Sequence, residues 1–103
     1  MLYYSTNRVS PTVDFKEATI NGQAPDKGLY FPEKIPTLST DLIKNLKSAS
    51  KDAIAFEVMR PYVGDEIPAD DLAEIASSAV SFDFPLVALD DDIYTLELFH
   101  GPT

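Results

Sequence analysis

The chain has 103 residues, with 17 acids against 8 bases and no cysteine. That length allows one domain of ordinary size, and a composition 45% hydrophobic and 24% charged argues against disorder. The net charge of −9 disfavours nucleic acid and anionic membrane as partners, because phosphate contacts need Lys and Arg; without cysteine there can be no disulfide, thiolate nucleophile or zinc finger.

No run approaches the ~20 apolar residues of a membrane span. The opening MLYYSTNRVS lacks the basic and then apolar regions of a signal peptide. A cytoplasmic protein is the expectation. Leu2, Tyr3 and Tyr4 are strand formers and predict a short first strand. Asp14 followed by Glu17 is a capping-box spacing. It predicts a helix from Phe15 to about Asn21, ended by Gly22, the residue best suited to a left-handed cap. Residues 22–36 hold two glycines and three prolines, so they read as a loop with at most a brief strand at 29–31.

Ser39 and Thr40 offer N-caps for a helix to about Leu46. A longer helix is predicted from Lys51 to near Arg60, with Ile54, Ala55, Val58, Met59 and Tyr62 on one face. Pro61 predicts its kink or end. The clearest helix spans 68–81. Pro68 suits its first position, and Asp70 and Asp71 suit its first turn. Leu72, Ile75, Ala76, Ala79 and Val80 form an apolar stripe, of which Leu72, Ile75, Ala76 and Ala79 are expected to be buried, with Asp71 and Glu74 outside. Pro85 stops the pattern. Residues 86–89 are a short apolar run, Asp90, Asp91 and Asp92 an acidic turn, and 93–99 a strand by residue type. No internal repeat is present. About four short helices and three short strands predict an α+β fold, helices packed on a small sheet.

Candidate chemistry is sparse. His100 is the only histidine, so it has no His or Cys partner for a metal site. A structural role for it competes with a functional one. The three aspartates lack the alternation of a calcium loop and read as a solvated turn. Gly22 and Gly28 form no phosphate-binding motif. The chain closes on His100, Gly101, Pro102 and Thr103 directly after a patterned strand, with nothing following to pack on that turn. Truncation is therefore expected.

Four stretches, in order, resemble the threonine synthase family: YYSTN at 3–7, APDKGLYFPEKIP at 24–36, VGDEIP at 63–68 and LELFHGPT at 96–103. The resemblance spans essentially the whole chain. It implies that residues 1–103 are the N-terminal domain, cut just before the segment whose lysine binds pyridoxal phosphate (PLP). The intact enzyme would convert O-phosphohomoserine and water to threonine and phosphate. PLP would act as electron sink, with the rest of the same polypeptide as partner. The fragment alone would bind no cofactor and be inactive. His100, Gly101, Pro102 and Thr103 would lie beside the active site, shaping the pocket, with Thr103 or His100 offering a hydrogen bond. Lys27 departs from the APDGGLY usual in the family. If that position needs a positive φ, a lysine there costs ~1–2 kcal/mol. The competing reading is an independent acidic binding or structural module.

In the last strand Tyr94, Leu96 and Leu98 share one face, and Ile93, Thr95, Glu97 and Phe99 the other. Both faces are largely apolar, the mark of a strand covered on both sides. The expectation is that the isolated chain either self-associates through this segment or leaves 97–103 mobile.

Overall fold

A computed structural model describes residues 1–101. The elements run β1 (Tyr3–Ser5), α1 (Phe15–Asn21), β2 (Tyr30–Pro32), α2 (Thr40–Asn45), α3 (Lys51–Val63), α4 (Ala69–Ala79), β3 (Leu86–Asp90) and β4 (Ile93–Leu96). The fold is α+β with the four predicted helices. Its strands form two separate antiparallel pairs, β1 with β2 and β3 with β4. No helix among the described residues is long and apolar enough to cross a membrane.

The first half folds around its own turn chemistry. The Asp14 carboxylate accepts the Glu17 N–H at 2.8 Å and opens α1. Gly22, at φ 68°, returns its N–H to the Ala18 carbonyl and closes it. Ala18 thereby faces Tyr3 and Val13, and these three form a small core flanked by Met1, Phe15 and Tyr30. Tyr3 also bridges Val13 through two backbone hydrogen bonds of 2.8 and 2.9 Å. In the β1–β2 pair Tyr3 lies opposite Pro32 and Ser5 opposite Tyr30.

Helix α3 differs from expectation. It runs through Pro61 to Val63, and Gly64 closes it by donating to the Arg60 carbonyl. Proline removes one helical donor, but here it sits in the final turn, where two contacts hold the backbone in place. Val63 is buried, and the Tyr62 carbonyl accepts the Tyr3 hydroxyl at 2.7 Å. Half-buried Ile54, Ala55, Val58, Met59 and Tyr62 mark the predicted apolar face.

Helix α4 packs on α3 through Leu72 and Ala76, which are 1% and 0% exposed. Asp71 and Glu74 are outside, as predicted. Ile75, 46% exposed, and Ala79 also remain outside, against expectation. A single neighbouring helix covers only the centre of the stripe.

The hairpin follows. Residues 86–89 become a strand because β4 pairs with them, with a bulge between Ala88 and Asp90. β4 ends at Leu96, earlier than predicted. Its partner begins only after Pro85, so one further bond, Glu97 N–H to the Pro85 carbonyl at 2.9 Å, completes the ladder. β3 and β4 pack chiefly on each other. The radius of gyration, 16.5 Å, exceeds the roughly 13 Å of a compact chain this long.

Candidate functional site

The described part of the predicted site is the turn at residues 97–101. Leaving β4, Glu97 turns its carboxylate toward His100, and Oε2 lies 2.7 Å from Nε2. Glu97 is partly shielded while His100 is exposed. The Phe99 and His100 rings lie 4.6 Å apart, tilted by 34°. Gly101 then passes close to Phe82. A Cβ there would stand 2.7 Å from the Phe82 ring, so a larger residue would have to displace that ring. Phe82 and Phe84 pack at 4.6 Å. Lys51, the first residue of α3, donates from Nζ to the Phe82 carbonyl and stands 4.7 Å above the Phe84 ring. The turn is therefore tied to the helical layer through an aromatic pedestal. The structure brings His100 and Gly101 together; Pro102 and Thr103 lie outside the described residues.

A second cluster, which sequence reasoning missed, joins the first two resembling stretches. The Asp26 carboxylate accepts four hydrogen bonds. Oδ1 takes the Ser5 hydroxyl at 2.5 Å and the Gly28 N–H at 2.9 Å. Oδ2 takes the N–H groups of Val9 at 3.0 Å and Ser10 at 2.8 Å. These bonds, the Ser5 hydroxyl foremost, hold the carboxyl well below the usual carboxylate range. Ser5 is fully buried, and a Cβ on Gly28 would lie 2.0 Å from its Oγ. Lys27, between them, takes φ 66°, so the strained conformation is required. The only signal of this cluster in the sequence was that YYSTN and APDKG are both stretches of the resemblance.

The third stretch docks on the first as well. Glu66 accepts the N–H groups of Phe15 and Lys16, both at 3.0 Å, on its two oxygens, and caps α1 from a distance. Burial, then the negative charge of Glu66, pushes the Tyr3 phenol above its ordinary value, so it stays a donor to Tyr62. Both clusters are structural pins. Asp90, Asp91 and Asp92 are exposed in the β3–β4 turn, with Asp92 at φ 60°.

The described residues do not fit a PLP site by themselves. Covalent attachment needs a lysine amine inside a pocket. Lys16, Lys27, Lys34, Lys44, Lys47 and Lys51 are all exposed, and the one near the turn, Lys51, is engaged with Phe82. No step through the cofactor follows from these residues.

Folding and motifs converge on one class, a small α+β domain. The family model described as "Threonine synthase N terminus" matches residues 2–80. A threonine synthase of Schizosaccharomyces pombe is 40% identical over 98% of this chain and 21% of its own length. One of Methylobacillus glycogenes is 35% identical over all of this chain and 24% of its own. The crystal structure of PLP-bound threonine synthase from Brucella melitensis superposes with a TM-score of 0.86 at 37% identity, covering 99% of this chain and 23% of that one. The chain belongs to the threonine synthase family, as a member of its N-terminal domain. It spans about a quarter of the length of the relatives it matches.

Proposed function

We propose that residues 1–103 are the N-terminal domain of a threonine synthase, which converts O-phosphohomoserine and water to threonine and phosphate, and that the chain alone is inactive. The observation that carries this reading is the turn at residues 97–101. It is built from LELFHGPT, braced on Phe82 by Gly101, and placed at the end of a hairpin whose apolar face is uncovered. A braced turn of this kind suits the rim of a pocket made jointly with a larger body. The cofactor would supply an electron sink. Its lysine and the cradle for its phosphate belong, on this reading, to polypeptide beyond Thr103. The chain's own part is to orient and to exclude water: His100, Gly101, Pro102 and Thr103 border the pocket, and the hairpin seats them against the rest of the enzyme.

The test is the source gene's reading frame past Thr103, expressed in full. The expected product continues into a lysine-bearing segment and releases phosphate from O-phosphohomoserine, while the 103-residue chain releases none and shows no cofactor absorbance beyond free PLP. A natural stop codon at that point, or saturable attachment of PLP to one lysine of the short chain, would overturn the reading and favour an independent module.

A further inference from the structure

We infer that Glu97 is a positioning residue for His100, fixing which ring nitrogen the turn presents to the site it borders. This rests on the functional reading above for the site, though not for the contact itself. An ionised carboxylate can only accept, so Nε2, 2.7 Å from Glu97 Oε2, must carry the proton. The partner of one ring nitrogen sets the state of the other. The neutral ring therefore offers Nδ1 as an acceptor.

Three features hold this arrangement. The Glu97 backbone is anchored to Pro85 by its own hydrogen bond, so its side chain starts from a fixed point. The Phe99 ring lies against the imidazole. Gly101, at the far end of the turn, lies close against the Phe82 ring. An exposed i, i+3 ion pair contributes little to stability. Its consequence is orientation: with Nε2 held, Nδ1 is the nitrogen left to take a hydrogen bond from an N–H or O–H of the substrate or cofactor.

His100 is the sole histidine, so its imidazole nitrogens give a single assignable set of NMR signals in the 103-residue chain. With the ring neutral, we expect the ¹⁵N shifts of its two nitrogens to show the Nε2-protonated tautomer held in excess, with Nδ1 unprotonated. In Glu97→Ala the shifts should move toward the tautomer mixture of a free imidazole, and Glu97→Gln, which keeps an acceptor, should stay near wild type. A wild-type chain whose ring shifts are those of the free mixture, or one in which Glu97→Ala leaves them unchanged, overturns the inference. In the full-length enzyme Glu97→Ala should lower kcat about tenfold, the worth of one hydrogen bond to a charged group, with Glu97→Gln recovering most of it. If the wild-type enzyme is active and Glu97→Ala equals it, Glu97 holds His100 without serving the site, and the inference fails while the functional reading stands. If the full-length wild type is inactive on O-phosphohomoserine, the functional reading fails and the site role of Glu97 with it. The NMR result separates these two failures.

Discussion

The two small sheets make a direct contrast. Both are antiparallel pairs of short strands. In β1–β2, Tyr3 and Ser5 are buried, and the loops around them are pinned by Asp26 and Glu66. In β3–β4 nearly every side chain is exposed. The register places Leu86 and Ala88 opposite Leu96 and Tyr94, so one hairpin face is apolar apart from a phenol hydroxyl. Leu86 is 67% exposed and Leu96 56%. Polar satisfaction within the chain thus pins the β1–β2 region, although Val9, Ile20 and Leu29 around it stay exposed. Uncovered apolar area marks a region shaped for a further surface.

The sharpest way to break this contrast is to truncate one leucine in each region. Leu72→Ala, beneath α3, should cost about 2–5 kcal/mol, read as a shifted denaturation midpoint at unchanged slope. Leu96→Ala should stay within about 0.5 kcal/mol. Equal losses would mean the hairpin is packed within the chain after all. Next in size is Gly28→Ala. The new methyl would meet Ser5 Oγ at 2.0 Å and force apart the Asp26 network, with an expected loss of about 1–3 kcal/mol. The same network predicts acid sensitivity. Asp26 has a folded pKa below its unfolded one, near ~3.9. Its contribution is therefore full above that unfolded value and lost as pH falls toward the folded one. Acid unfolding followed by circular dichroism should flatten in this range in Asp26→Asn, which is less stable at neutral pH. An unchanged acid limb would show the carboxylate to be idle.

Legibility in the sequence followed the range of the interaction. Helix α1 was readable to the residue, because Asp14, Glu17 and Gly22 act within one turn of each other. The end of α3 was misjudged because the rule for Pro61 is local, whereas Tyr3 and the packing of Val63 hold that turn from outside. Ile75 and Ala79 follow the helical period, which says where a stripe lies but not how much of it a neighbour covers. The site was reachable only by resemblance. Nothing near Gly101 in the sequence announces that Phe82 lies under it, since that contact depends on the path of the hairpin. Ser5, Ser10 and Asp26 look like ordinary loop residues until the fold brings them together.

A smaller effect should sharpen the account of the pinned region. Lys27 adopts φ 66° while its N–H is held by the Ala24 carbonyl and its carbonyl by Gln23. The loop imposes a conformation costing a side-chain-bearing residue ~1–2 kcal/mol. Glycine would relieve it but loses about 0.4–1 kcal/mol through its freer unfolded chain. Lys27→Gly should therefore stabilise the protein by about 0.5–1 kcal/mol. A loss on equilibrium unfolding would mean that the lysine side chain compensates for its backbone.

The smallest effect on stability is expected where the effect on association is largest. Leu86 and Leu96 face each other across the hairpin on its uncovered side. An exposed apolar face beside unpaired strand edges favours pairing with another surface. In the isolated chain the surface at hand is a second copy, so sedimentation should report rising mass with concentration. Leu86→Ser combined with Leu96→Ser removes apolar area from that face without touching the Asp26 network or the α3–α4 contact. The double variant should unfold within about 0.5 kcal/mol of wild type and sediment as a monomer where wild type does not. In a full-length threonine synthase the same pair should instead lower stability, because there the face would be covered. A wild-type chain that stays monomeric at every concentration, with 97–101 protected from hydrogen exchange, would show that the hairpin needs no partner and would erase the contrast between the two sheets.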